Sequence, residues 1–368
     1  MQDNTDKNVY ILGAGFSKEL GLPLQDEFLL SAKEVFFRNT GRYEHFEKVF
    51  KYQDDLTKMR KFLNYPLLNL EHLFNLVEMD LFYSNRSETS EIKKDFVRLI
   101  NDTLEALTPG PFDLSATGDR SITSKYNNYL QFLKMFIRKD PKNRHGIVPF
   151  KDTIISFNYD LVLEITVWIY NLKKEREIAN EIFSREANYY VNLNCSFGKQ
   201  NISIGDIKHF VTKKSGGSSV PSGDIFRDAE SSIKLIKLHG SINWTSADGN
   251  TFIVPPTWNK SDPEIRKLWD IAYNELKDAK RIIIIGYSFP ETDIYVKSLL
   301  ALAMNENRIL QNIYFINPDR NKVREACLSL LDKHFEKYCE YKEWTFSDFI
   351  CTKDGREFIE EKLKRSFN

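Results

Sequence analysis

Five short apolar runs punctuate the chain, at Val9 to Leu12, Thr153 to Phe157, Lys234 to Leu238, Arg281 to Ile285 and Asn312 to Ile316. Each is rich in Ile, Val or Leu and breaks off in turn-forming residues, the pattern of strands buried on both faces of a parallel sheet. Between the later runs, Pro263 to Lys280 and Ile294 to Asn305 carry apolar residues at helical spacing. Strand alternating with helix predicts an α/β fold, a Rossmann-like doubly wound parallel sheet.

The first two runs are separated by about 140 residues, far more than a strand-to-strand crossover requires. Glu27 to Arg38, Leu70 to Phe82, Ile92 to Leu107 and Tyr126 to Ile137 space their apolar residues three and four apart, as helices packing on one another do. The expected organisation is a discontinuous core of residues 1–30 and 150–320, a large all-helical insertion over 31–149, and a helical tail over 321–368 packed on the core. Within the core, the polar run Lys213 to Ser219 cannot bury enough apolar surface to fold alone and is expected to be a mobile loop or flap.

Composition narrows the functional classes. The 52 Lys and Arg balance the 52 Asp and Glu, which argues against a general nucleic-acid or membrane-surface binder. No run reaches membrane-spanning length, and the polar start shows no targeting signal, so a cytoplasmic protein is expected. Cys195, Cys327, Cys339 and Cys351 contain no C-x-x-C pair, so they are read as reduced thiols, without a metal site or disulfide framework.

In an open parallel sheet, ligands bind beyond the carboxyl ends of the strands. The residues that follow the five runs are Gly13, Gly15, Ser17 and Gly21; Asn158 and Asp160; His239; Gly286 and Ser288; Asn317 and Asp319. Gly13-Ala14-Gly15 lets backbone amides approach a pyrophosphate, and a helix starting near Ser17 would point its positive end at the same anion. The same loop also reads as a tight strand-to-helix turn. It departs from the dehydrogenase fingerprint, because Lys18 occupies the third glycine position and no second strand with a ribose-binding acid follows. Hydride transfer is therefore disfavoured. His239 reads either as a site imidazole or as a structural histidine; Asn158 with Asp160, and Asn317 with Asp319, read equally as strand-end turns. Pro290, Glu291, Thr292 and Asp293 read as a helix cap. The polar signals nevertheless gather on one sheet edge, where unrelated turns would scatter over both.

Four segments in this order, G-A-G-F-S at Gly13 to Ser17, S-F-N-Y-D at Ser156 to Asp160, K-L-H-G-S-I-N-W at Lys237 to Trp244, and I-I-G-Y-S-F-P-E-T-D at Ile284 to Asp293, resemble the sirtuin-like superfamily. The similarity is to its bacterial antiphage-defence NAD hydrolase branch, and Pro255 to Trp258 resembles these proteins as well. The resemblance implies NAD as substrate. Gly13, Ala14, Gly15, Phe16 and Ser17 would cradle its pyrophosphate, with support from Gly286 and Ser288, and Asn317, with Asp319 beside it, would meet the adenosine ribose. Asn158 would hold water, Asp160 would contact the carboxamide and His239 would serve as general base.

Two departures from the deacetylases of this superfamily shape the expected chemistry. Their four-cysteine zinc ribbon has no counterpart, and Phe157 replaces their glutamine. Water rather than acetyl-lysine is then the expected nucleophile, and the reaction an NAD glycohydrolase step yielding nicotinamide and ADP-ribose. The resemblance further implies a regulated abortive-infection effector, a homo-oligomer, and a defence partner such as a ring-forming DNA-translocase ATPase; the chain has no P-loop of its own. The alternatives are a non-hydrolytic subunit that binds NAD or ADP-ribose, a structural subunit of a defence complex, and a protein deacylase.

Overall fold

The computed structural model describes residues 6–58, 69–84, 87–114, 120–139, 147–180, 193–195, 198–200, 233–245, 251–254, 263–291, 293–329 and 333–367. The Lys213 to Ser219 run and Pro255 to Trp258 lie outside the described residues.

The strands in chain order are β1 (Asn8–Leu12), β2 (Phe112–Leu114), β3 (Arg120–Ile122), β4 (Ile137–Lys139), β5 (Ile147–Pro149), β6 (Thr153–Ser156), β7 (Leu193–Cys195), β8 (Gly198–Gln200), β9 (Ile233–Lys237), β10 (Gly240–Thr245), β11 (Thr251–Ile253), β12 (Arg281–Ile285), β13 (Asn312–Ile316) and β14 (Cys339–Lys342). Eight form one sheet in the order β14-β13-β12-β1-β6-β9-β7-β8. Every neighbouring pair is parallel except the β7–β8 edge. All five predicted strands are present in the parallel centre, each within one residue of its expected ends.

Alternation along the strands sends side chains to two apolar layers. Val9, Ile11, Ile155, Ile236, Ile282 and Ile284 pack against helices Pro263–Lys277, Ile294–Glu306 and Arg320–Leu328. Tyr10, Leu12, Ile154, Leu235, Ile283 and Ile285 face the opposite way, onto helices Asn127–Lys134 and Val162–Asn180. Helices on both faces explain why these strands read as nearly continuous apolar runs.

The 31–149 segment is not all-helical. Helices Glu44–Lys58, Leu70–Ser84, Ser87–Leu107 and Asn127–Lys134 are accompanied by two antiparallel hairpins, β2–β3 between the last two helices and β4–β5 after Asn127–Lys134. Pro109, Gly110 and Pro111 end the helical run after Leu107 and force an extended path, and Phe112 then packs edge-on against Trp168 at 5.4 Å. Phe132 of helix Asn127–Lys134 meets Tyr10 of β1 edge-on with ring centres 5.9 Å apart, so this segment packs directly onto one face of the sheet.

The tail also departs from a purely helical expectation. Cys339–Lys342 extends the sheet parallel to β13, covering what would otherwise be an open edge. Tyr341 stacks on Phe315 with ring centres 4.6 Å apart. Helices Phe346–Cys351 and Lys353–Glu361 follow, and the chain end is anchored by Arg365, whose Nη2 donates to Asp152 Oδ1 at 2.6 Å. Among the described residues, no helix is long and apolar enough to cross a membrane.

Candidate functional site

The strand register brings the sequence-predicted residues to one level. Leu12 pairs with Ile285 and Ser156, Ser156 with Lys237, and Ile285 with Ile316. The ladder continues one residue further, with Gly13 N–H donating to Ile285 O, Phe157 to Leu12 O, Leu238 to Ser156 O and Gly286 to Ile316 O, each at 3.0 Å. Gly13, Phe157, Leu238, Gly286 and Asn317 therefore leave the sheet in a row. β1 lies between strands that succeed one another in opposite directions, toward β9 on one side and β14 on the other, which makes its carboxyl end the topological switch point.

The glycine loop does not run into an α-helix near Ser17. It forms two single-turn 3-10 segments, Ala14–Phe16 and Lys18–Leu20, closed by Gly21 at φ 87°, and the first α-helix is Phe28–Arg38. Gly21 in the left-handed region and Pro23 soon after stop helix propagation. The amides of Gly13, Gly15, Phe16 and Ser17 donate to Ile285, Gly286, Gly13 and Ala14 carbonyls. The Ala14 amide is not among these bonds. The Phe16 side chain is buried against Tyr129, Phe132 and Phe346 and serves the core.

Gly286 is the counterpart of this loop. At φ +64°, a Cβ placed on it would lie 2.4 Å from Phe16 N and 2.5 Å from Gly15 C. Gly286→Ala is expected to cost about 2 kcal/mol or more, from the left-handed backbone plus the clash. A denaturation midpoint equal to that of the parent would contradict this packing role. The loop geometry, rather than a ligand, is what requires glycine here.

Asn158 ties the second loop to the first, its Nδ2 donating to Gly13 O at 3.0 Å and to Ser17 Oγ at 3.2 Å. Both bonds use the amide nitrogen, so Oδ1 is the atom available to accept from a water. Ser17 Oγ donates to Asp160 Oδ2 at 2.8 Å, and Val162 N–H donates to Asp160 Oδ1 at 3.1 Å. Asp160 thus caps helix Val162–Asn180 and pins the glycine loop, with one oxygen committed to each task. His239, 4% exposed, follows β9 directly and is held by a sharp turn: Gly240 has φ +83°, and Val254 N–H donates to His239 O at 2.8 Å. Phe157 packs against the imidazole with ring centres 5.3 Å apart.

A cleft opens at this edge, walled by Gly13, Ala14, Ser17, Asn158, Asp160 and His239. Six of the twelve sequence-predicted site residues therefore meet in one cavity. Gly15, Phe16, Gly286, Ser288, Asn317 and Asp319 are not among its lining residues. Gly15 and Gly286 act behind it through the close approach just described, and Ser288 is exposed. Asn317 Oδ1 accepts Asp319 N–H at 2.9 Å, and Asp319 Oδ1 caps helix Arg320–Leu328 at Lys322 N–H, so this pair forms a strand-end turn and helix cap.

The opposite wall comes from the 31–149 segment and the residues leading into it, including Leu22, Gln25, Phe28, Leu70, Glu71, Phe74 and Leu104. Phe28, Leu70, Phe74 and Leu104 look in sequence like any helix-packing stripe, and only the tertiary arrangement makes them cleft wall. Asp293 and Tyr287 complete the lining; Tyr287 OH donates to Asp293 Oδ2 at 2.8 Å. Burial, then the Asp293 and Glu71 charges, raise the Tyr287 phenol well above its ordinary value; burial and the same two carboxylates do so for Tyr159. Both phenols therefore stay protonated. Among the described lining residues the charged side chains are the carboxylates Glu71, Asp160 and Asp293, with no Lys or Arg. The cavity suits a neutral or cationic ligand portion, and an anionic portion must rely on backbone amides at its rim.

No protein-family model matches this chain, and no curated protein matches it.

Proposed function

We propose that the cleft binds NAD and hydrolyses its nicotinamide–ribose bond. The observation that carries this reading is the meeting of Asn158, His239 and the glycine loop in one cavity at the switch point of the sheet. The carboxylates Glu71, Asp160 and Asp293, the charged side chains among the described lining residues, favour the pyridinium end of the dinucleotide. The pyrophosphate then lies at the Ala14 amide, and the adenosine half extends toward Gly286, Ser288 and Asn317.

The leaving nicotinamide departs neutral from a cationic ring, so the reaction needs no general acid. The oxocarbenium-like ribose centre left behind is favoured by nearby negative charge. Water accepted by Asn158 Oδ1 attacks the anomeric carbon, and His239 takes up its proton, assistance worth about 10²–10⁴ in rate. Asp160, with both oxygens engaged by Ser17 and Val162, acts by fixing the loop and by its charge rather than by proton transfer.

As an effector in antiphage defence, such an activity is latent until homo-oligomerisation or a defence partner releases it. Helix Phe28–Arg38 contributes Phe28 to the cleft and exposes Leu30 and Phe37, which gives assembly an apolar surface on the same helix.

A second reading has specific support: the internal engagement of Asp160 and of most loop amides favours a pocket that holds NAD or ADP-ribose without cleaving it. Incubation of the protein with NAD, alone and at concentrations where it assembles, separates the two. Equimolar nicotinamide and ADP-ribose are expected; saturable binding without nicotinamide release would assign the cleft to sensing instead.

A further inference from the structure

Asp293 is 1% exposed, and its two oxygens do different things. Oδ1 accepts Val296 N–H at 3.4 Å and caps helix Ile294–Glu306. Oδ2 accepts the Tyr287 hydroxyl at 2.8 Å and faces His239 Nε2 at 3.8 Å. A cap alone requires neither this burial nor an imidazole brought across from β9, two strands beyond β1 in the sheet.

His239 sits among the rings of Phe157, Tyr159 and Trp269, with centres 5.3, 6.3 and 6.3 Å away. A protonated imidazole in that surround is disfavoured by desolvation unless a counter-charge is at hand. The titratable groups around it, among the described residues, are Asp293 and Tyr287 from the loop after β12 and Tyr159 from the loop after β6; Asp160 and Glu71 line the same cleft. Asp293 is the carboxylate within ion-pair range of the ring.

We propose that Asp293, held by Tyr287, is a positioning residue that orients His239 and supports its protonated form during hydrolysis; the proposal rests on the reading of the cleft as an NAD hydrolase. In the step concerned, the water oxygen bonds to the anomeric carbon and its proton passes to His239. The ribose–nitrogen bond breaks, and its electron pair leaves with nicotinamide. The 3.8 Å separation is longer than a hydrogen bond, and contacts of this type tighten in the substrate complex.

Asp293→Asn tests this without removing the cap, since asparagine caps helices as well as aspartate: its oxygen keeps the Val296 N–H and its amide nitrogen, in the place of Oδ2, donates to the Tyr287 hydroxyl oxygen. In the assembled full-length protein the variant is expected to keep its thermal midpoint and the KM for NAD, while kcat falls about 10- to 100-fold. The ascending limb of its pH–rate profile moves about one unit toward acid, because loss of the neighbouring negative charge makes His239 a weaker base. Asp293→Glu restores part of the rate. A parental rate, or a lowered rate with an unmoved limb, would overturn the proposal. Histidine NMR titration reads the same coupling without turnover: the His239 resonance is expected to titrate at lower pH in Asp293→Asn. An unchanged titration overturns the Asp293 assignment whether or not NAD is cleaved, whereas a shifted titration without nicotinamide release overturns only the hydrolase reading.

Discussion

Asn158→Ala and His239→Ala are each expected to lower nicotinamide release from NAD by at least about 10²-fold, the lower bound for loss of a positioned proton acceptor. The two losses arise differently. On the proposed reading, alanine at 239 removes the group that takes up the water proton; it leaves the β9 turn in place, because that turn depends on Gly240 and the backbone bond from Val254. Alanine at 158 removes the proposed acceptor for the water and also two bonds, to Gly13 O and Ser17 Oγ, so it loosens the glycine loop as well. His239→Ala is therefore expected to bind NAD with near-parental affinity, whereas Asn158→Ala binds it more weakly. Rates are read by separating nicotinamide from ADP-ribose, with circular dichroism confirming that each variant is folded. Parental turnover in both variants would reject the site assignment.

The second large effect concerns what holds these loops. Lys237 and Glu164 are each 2% exposed, and Lys237 Nζ donates to Glu164 Oε1 at 3.1 Å, Asp160 O at 2.6 Å and Ser241 Oγ at 2.6 Å. Ser241 Oγ in turn donates to Tyr159 O at 3.3 Å. One buried ammonium thus fastens the loop after β6 to the turn after β9, directly beneath Asn158 and His239. Removing either partner leaves a buried, uncompensated charge, so Lys237→Met or Glu164→Gln is expected to destabilise the fold by roughly 3–5 kcal/mol. The double variant Lys237→Met/Glu164→Leu removes both charges and is expected to lose less than the two single losses combined. Chemical denaturation measures all three. Single-variant losses below about 1 kcal/mol, the range of exposed pairs, would show that the pair is not a structural fastening.

The central sheet was legible because its strands are apolar on both faces, so each run announces itself without reference to its neighbours. Register then does the rest: once Leu12, Ser156, Lys237 and Ile285 lie level, the residues after them must converge. Features that depend on tertiary context were not legible. Ser17 has the composition of a helix start, yet Gly21 and Pro23 allow only single turns. Cys339 to Lys342 forms a strand because β13 would otherwise present a bare edge. Leu70, Phe74 and Leu104 carry the same helical spacing whether they face a neighbouring helix or a cavity. Asp293 is recognisable in sequence as a cap, and its approach to His239 depends on two loops that are distant in the chain. Asn317 and Asp319 illustrate the converse, since the turn reading of these residues is what their hydrogen bonds display.

The central claim, that NAD lies in the cleft between the glycine loop and the loops after β6 and β9, is tested most directly by hydrogen exchange on the full-length His239→Ala variant, with and without NAD. Slowed exchange is expected in residues 13–17, at the Ala14 amide above all, and in 157–160 and 286–288, while β7, β8 and the tail helices stay unchanged. Exchange unaltered in these three loops at saturating NAD, or protection confined to other parts of the chain, would contradict the account.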